Sequence, residues 1–357
     1  MDIRLNQRGS ILVMVLWTIM LLAFMAVHLV ISTNEQVHVY KRLGDRGISR
    51  RAAEAALLGF SDHFRRRESK LPFTLSESIS GGGRSIRGEL DGISYDVIPK
   101  GLMSESGQDY SQPTNANQIH AELSLDKQYP TSYGIIDQNR KININTSDVY
   151  VLQKLIKQLS GMDDDKALEL AAGIVDYRDE DDVMTIQKKF LGSEKGVYRS
   201  AGLQYLPKNK KFEYLFEVLQ VPGMTEKIYR SLRHQVTVFG HGQININTST
   251  NEVLLALGLN SDLVQKILHL RIGPDQTIGT GDDGIFRELA SAESQLAAKY
   301  DLSESERLSL RHGISRRYFT TSSEYFKVTG YALKTRVKEF AHCIYSRKGG
   351  TQFWLES

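Results

Sequence analysis

Two clusters of carboxylates are the residues in this sequence best spaced for chemistry. The first spans Arg271-Ile272-Gly273-Pro274-Asp275 and Gly279-Thr280-Gly281-Asp282-Asp283-Gly284. Calcium takes several carboxylate and carbonyl oxygens from a flexible loop, and a glycine-rich acidic loop offers both. Asp275, Asp282 and Asp283 are the ligands it would use. The spacing departs from the D-x-D-x-D-G-x5-E of an EF-hand, so a solvated turn stands as the alternative. The second cluster is Asp176, Asp179, Glu180, Asp181 and Asp182. Acids that close repel unless they are paired or hold a metal. Asp176, Asp179 and Asp181 form a second candidate metal set, and a helix end with Arg178 as counter-charge is its alternative.

Other chemistry finds little support. The nine histidines are scattered, with no H-E-x-x-H, and the single cysteine, Cys343, excludes an intrachain disulfide and a Cys-based metal site. There is no G-x-S-x-G and no P-loop, and Gly81-Gly82-Gly83 has no following Lys-Ser/Thr, so it reads as a linker. No spacing marks a paired general acid and base, so the chain is not expected to be an enzyme. Leu159-Ser160-Gly161-Met162 and Val221-Pro222-Gly223-Met224 are similar to hairpins of the helix-hairpin-helix motif, which elsewhere grips the DNA backbone. Asp163, Asp164 and Asp165 follow the first hairpin and repel phosphate, which favours a packing role. The net charge is +3, from 45 basic and 42 acidic residues, and implies no polyanionic partner.

The elements that carry these residues begin at a membrane. Ile11 to Ile31 holds 21 residues without formal charge, interrupted only by Thr18 and His28. A helix of that length rises about 30 Å, enough to cross the hydrocarbon core. A secretory signal has a shorter apolar core and an A-x-A-like exit. Here Arg8-Gly9-Ser10 stands at the near edge instead, which suits a peptidase that trims the leader and leaves the helix. Arg4 and Arg8 favour an inside N-terminus, whereas Lys41, Arg42, Arg46, Arg50 and Arg51 outnumber them on the far side. The short leader decides for N-in. Apolar residues then continue at helical spacing through Val39, Leu43, Ile48, Ala52, Ala56, Leu57, Phe60 and Phe64, with no proline before Pro72. One helix of some fifty residues is expected, with Gly44 and Gly47 as points of kinking or fraying.

The remaining part has the balance of a soluble domain: 41% of the whole chain is hydrophobic and its mean hydropathy is −0.32. Two strands flank a turn at Leu90-Asp91-Gly92-Ile93, residues 104–117 form a polar loop, and Tyr133 to Ile136 is a short strand. A helical region runs from Ile142 to about Arg317 and contains a repeat. Lys141-Ile142-Asn143-Ile144-Asn145-Thr146-Ser147 returns as Gln243-Ile244-Asn245-Ile246-Asn247-Thr248-Ser249. Asn145 or Thr146, and Asn247 or Thr248, are placed to cap the leucine-rich helix after each copy. Strands return over Glu324 to Gly330, Thr335 to Ser346 and Gln352 to Leu355. Strands on both sides of a helical block predict one sheet with an insertion. The fold class is α+β: a long N-terminal transmembrane and stalk helix on an antiparallel sheet, with a large duplicated all-α insertion. The expected divisions are a leader over 1–9, the helix over 10–66, the sheet over 67–141 plus 316–357, and the insertion over 142–315.

These motifs, in this order, resemble the K-type minor pseudopilins of the type II secretion system across nearly the whole chain. The carriers are Arg8-Gly9 before an apolar helix, Ile142-Asn143-Ile144-Asn145-Thr146 followed by Asp176-Tyr177-Arg178-Asp179, the second such copy, and the closing strand Glu324-Tyr325-Phe326-Lys327-Val328. The resemblance implies the pseudopilin fold. It implies cleavage by a prepilin peptidase between Gly9 and Ser10, and methylation of the new amine at Ser10. Pseudopilins usually carry Phe first and Glu fifth in the mature chain, where this one has Ser10 and Met14. In the ordinary subunit that Glu neutralises a neighbour's amine in the low-dielectric filament core. A chain with Met14 cannot do so for a subunit above it, which suits the filament tip. The resemblance further implies calcium as a bound ion and the I- and J-type minor pseudopilins and the pseudopilus as partners. Its location would be a single-pass inner-membrane anchor with the bulk in the periplasm, and no nucleic acid is expected. The alternative, carried by the hairpins, is a membrane-anchored DNA receptor.

Overall fold

The computed structural model describes residues 7–65, 87–90, 93–96, 135–186, 193–276, 281–334 and 337–355. The glycine linker at 81–83, the Asp91-Gly92 turn and the loop at 104–117 lie outside the described residues.

Helix α1 runs unbroken over Gln7–Arg65, 59 residues, through both Gly44 and Gly47. Neither glycine touches a neighbour that would bend the helix, and no proline intervenes. Its two halves have different environments. From Leu12 to Ile31 the large apolar side chains lie open, Trp17 at 67% and Phe24 at 70% exposure, so no protein surface covers them. By length and composition α1 is able to cross a membrane. Farther along, Ser49, Ala52, Ala53, Ala56 and Leu57 are buried, on the i, i+3, i+4, i+7, i+8 stripe that one helical face presents.

That stripe meets an antiparallel sheet. Its strands are β1 (Arg87–Leu90), β2 (Ile93–Asp96), β3 (Ile135–Asp137), β8 (Tyr325–Lys334), β9 (Val337–Ser346) and β10 (Gly350–Leu355). The order is β1-β2-β8-β9-β10, with β3 also paired to β8. Strands from both ends of the chain thus share one sheet, and the block between them is an insertion. Phe326, Val328, Ala332, Ala341, Cys343 and Tyr345 face α1. Three alanines on the helix let it lie close, and Gly330 is where it lies closest: a Cβ there would collide with the Ala53 carbonyl. Cys343 is a buried strand thiol, and burial pushes its pKa up to about 12.

The insertion has its own core. Its helices are α2 (Val149–Ser160), α3 (Asp164–Arg178), α4 (Glu194–Ser200), α5 (Glu226–Leu232), α6 (Asn251–Ala256), α7 (Ser261–Ile272), α8 (Ala292–Ala297) and α9 (Glu304–Ser315). Leu152, Leu155, Ile174, Leu254, Ile267 and Leu310 belong to one buried cluster. The block is not purely helical. Ile142–Asn143 forms β4, parallel to β5 (Val236–Thr237), and Ile244–Asn245 forms β6, parallel to β7 (Phe319–Thr320). The second pairing carries the block's contacts past Ser315 to Thr320.

The repeated tetrapeptides do something other than cap. Asp148 caps α2 and Thr250 caps α6, each through its side chain. Asn143 Oδ1 accepts from the Asn145 amide at 2.8 Å, and Asn245 Oδ1 from the Asn247 amide at 2.9 Å. Asn145 clasps both backbone groups of Phe212, and Asn247 clasps both of Phe286. Arg178 donates to the Ile144 and Ser147 carbonyls, as Arg271 does to those of Ile246 and Ser249. Each copy therefore makes the same set of contacts, with a helix-end arginine closing its turn.

A buried carboxyl joins block and sheet. Asp137, at the end of β3, accepts from Ser323 Oγ at 2.6 Å, Thr248 Oγ1 at 2.5 Å and the Asn139 amide at 2.7 Å. These donors satisfy a group that burial would otherwise penalise.

Candidate functional site

The end of α3 and the start of α4 bring three acids together. Asp176 stands in the last turn of α3, Asp179 follows it as the C-cap, and Glu194 opens α4 behind the Ser193 cap. One carboxylate oxygen from each lies within 4.8 Å of the other two. Among the described residues this is the group whose ligand atoms converge in this way. Glu194 is 1% exposed. Its two oxygens and Asp179 Oδ1 are buried and accept no hydrogen bond, while Asp176 Oδ1 accepts the Thr185 amide at 2.8 Å. Burial, then the charges of Asp179 and Asp176, push the Glu194 carboxyl up to about 8. Burial raises Asp176 and Asp179 as well.

Three hard oxygens left without donors fit a divalent cation such as calcium. Without one, a shared proton between Asp179 and Glu194 relieves the repulsion. Two neighbours are spoken for: Asp182 pairs with Lys195 at 3.3 Å, and exposed Asp181 accepts the Val183 amide at 2.8 Å. Asp181, expected as a ligand, is thus replaced by Glu194, which sequence spacing did not single out. Arg178 is turned to the carbonyls of the first repeat and does not serve as the cluster's hydrogen-bonded counter-charge.

The second acidic loop is only partly described, since residues 277–280 lie outside the described residues. Asp282 Oδ2 accepts the Asp275 amide at 3.3 Å, and Gly273, at φ 66°, leaves room for the Asp282 carboxylate where a side chain would collide. Gly284 returns the loop by donating to the Leu270 carbonyl at 2.8 Å. Asp275 and Asp282 are exposed, and Asp283 is half-buried. The loop lies in the chain between Arg271 and Phe286, as Asp179 and Glu194 lie between Arg178 and Phe212, while Asp176 stands two residues before Arg178.

The hairpin glycines adopt positive φ, Gly161 at 70° and Gly223 at 86°. Asp163 caps α3 and pairs with Lys166 at 2.9 Å, and Asp164 pairs with Lys157 at 2.7 Å.

Residues 115–241 match the family model described as type II secretion system (T2SS), protein K. That span holds the first repeat, the three-acid group and both hairpins. Over that span, about a third of the chain, it is similar to the K-type proteins of that system. It also superposes, at TM-score 0.56 and 18% identity, on a chain of the crystal structure of the GspK-GspI-GspJ complex from the enterotoxigenic Escherichia coli type 2 secretion system. The superposition covers 91% of this chain and 100% of that one, and it shows a shared fold. No curated protein matches the sequence. Gly9 and Ser10, expected to flank a cleavage site, fall at the start of α1.

Proposed function

We propose that this minor pseudopilin caps the tip of the type II secretion pseudopilus and helps start its assembly, together with I- and J-type minor pseudopilins. The observation that carries the reading is Met14 on the uncovered, apolar half of α1. An apolar side chain there cannot neutralise the amine of a subunit stacked above, and an unneutralised charge in a low-dielectric filament core is costly. The insertion from Ile142 to Thr320 supports the same reading, because it adds a second cored body to one sheet. Its recurrent Asn and Arg contacts support a duplicated origin.

On this reading, α1 anchors the chain once in the inner membrane with the bulk in the periplasm. A prepilin peptidase removes residues 1–9, and Ser10 carries the methylated amine. Calcium occupies Asp176, Asp179 and Glu194, and the Asp275, Asp282 and Asp283 loop is a second site. The full chain, co-expressed in detergent with I- and J-type partners, is expected to co-purify as one complex. Deleting its gene is expected to reduce secretion and alter pseudopilus number or length. Chains that stay apart in detergent, with secretion intact in the deletion strain, would overturn the proposal.

A further inference from the structure

Outside α1, nine large apolar side chains of the described residues stand exposed, and five of them fall between Tyr205 and Leu219. Tyr150, Val183, Ile285 and Leu308 are scattered, as surface apolar residues commonly are. The five are Tyr205, Leu206, Tyr214, Phe216 and Leu219, at 42, 45, 49, 56 and 36% exposure. Tyr214 and Phe216 stack nearly parallel, with ring centroids 5.5 Å apart and planes at 20°, so the two rings meet solvent together. The backbone beneath them is fixed. Glu217, buried in the short 3-10 helix Leu215–Gln220, accepts the Glu213 amide at 2.9 Å, the Tyr214 amide at 2.7 Å and Lys208 Nζ at 2.8 Å. Lys208 also reaches Glu213 at 3.4 Å, which ties the limb carrying Tyr205 and Leu206 to the limb carrying Tyr214 and Phe216. Asn145 holds both backbone groups of Phe212, whose ring stacks on buried Tyr177 at 4.7 Å. Tyr205 leans edge-on against buried Tyr198 at 6.0 Å. Rings held in place before a partner arrives lose little conformational freedom when it binds.

Lys210 and Lys211 stand exposed in the same segment, and among the described residues neither pairs with a carboxylate, whereas Lys208 does. We propose that this shelf docks an acidic peptide segment of another protein. An apolar side chain of that segment lies on Tyr214 and Phe216, and the carboxylates beside it face Lys210 and Lys211. The charges select this occupant: two uncompensated cations next to an apolar face match an apolar anchor flanked by acids. A single nucleic-acid strand needs bases stacked in succession along a run of cations. Here the Tyr214 and Phe216 rings already stack on each other, and the exposed carboxylate of Glu213 stands in the chain between Lys211 and Tyr214. The shelf lies in the insertion, apart from Met14 and α1, so the capping proposal does not depend on it.

The test is fluorescence anisotropy of labelled polymers against the full chain in nanodiscs of zwitterionic lipid, where no lipid charge competes. The acidic probe is a random copolymer of glutamate and tyrosine, compared with polyglutamate and with a copolymer of lysine and tyrosine. The first is expected to bind, and each of the others to bind at least about tenfold more weakly. Tyr214→Ser and Phe216→Ser should each weaken binding by roughly tenfold. Tyr214→Phe should leave it unchanged, because the ring and not the hydroxyl makes the contact. Lys210→Gln with Lys211→Gln should lower it by roughly fivefold and flatten its dependence on salt. All four side chains are exposed, so these variants should melt as the wild type does. The proposal is overturned if the acidic copolymer does not bind, if polyglutamate binds as well, or if binding survives in the Tyr214→Ser, Phe216→Ser double variant. Binding of an oligothymidylate that is lost in that double variant would assign the shelf to nucleic acid and overturn the peptide proposal as well.

Discussion

Glu194→Gln keeps the side chain's size and removes one charge from a group whose oxygens lie within 4.8 Å of one another. Two unit charges at that separation repel by about 3.5 kcal/mol at an effective permittivity of about 20. Glu194 faces two such partners, so the cation-free cluster takes up a proton, and the Glu194 carboxyl titrates near 8 where a free one titrates at 4.5. A carboxyl whose pKa is raised by folding keeps a proton that the unfolded chain has lost. Stability from this source is therefore present below pH 4.5 and falls as pH climbs from about 4.5 to about 8. Glutamine mimics the protonated state at every pH. In chelator, the variant should match the wild type near pH 5 and exceed it by on the order of 2–3 kcal/mol at pH 8.5, the repulsion being shared with Asp179. Calcium closes this difference. At a hundredfold excess over its dissociation constant, calcium should stabilise the wild type by about 2.7 kcal/mol, and most of that gain should vanish in the variant. Urea melts of the full chain in detergent, run in chelator and in calcium across pH 5 to 9, read both effects. An identical calcium response in wild type and variant would refute the assignment. The Asp282→Ala, Asp283→Ala double variant would then be the one to lose the response.

Gly330→Val should cost on the order of 2–4 kcal/mol by urea melt, since the new side chain runs into the Ala53 carbonyl at the closest approach of α1 to β8; a neutral result would contradict that packing. Arg271→Met leaves the Ile246 and Ser249 carbonyls without their buried donor and should cost about 2–3 kcal/mol, with faster amide exchange concentrated around residues 244–256. Exchange that rises evenly over the chain would mean that Arg271 does not hold the second repeat in particular. Co-expression with a prepilin peptidase should shorten the chain by nine residues at Gly9, and Gly9→Val should block this; an uncut wild-type chain counts against the processing proposal.

Much of the architecture was legible because it rests on local patterns. An apolar, proline-free stretch names α1, and alternating residues name β8 and β9. The recurrence of Ile-Asn-Ile-Asn-Thr-Ser is visible by inspection. What those asparagines do was not legible. Asn145 and Asn247 look like helix caps by type and place, yet they reach across to Phe212 and Phe286, and Asp148 and Thr250 cap the helices. The two-residue parallel pairs β4–β5 and β6–β7 leave no pattern, because each exists only where distant segments meet. Glu194 was missed for the same reason. It stands fifteen residues beyond Asp179, and only the return of the chain at α4 brings it to Asp176. One local signal was available, an acid directly after the Ser193 cap, but acids are common there for their effect on the helix dipole alone.

The tip position is the central claim, and locating the chain in assembled pseudopili tests it most directly. Full chains carrying a gold-labelled tag on the exposed insertion, incorporated into pseudopili and viewed by electron microscopy, are expected to show label at one end of each filament. Met14→Glu should leave that distribution unchanged, since on the capping proposal the insertion still prevents stacking above it. Label spaced along the shaft of wild-type filaments would contradict the capping role.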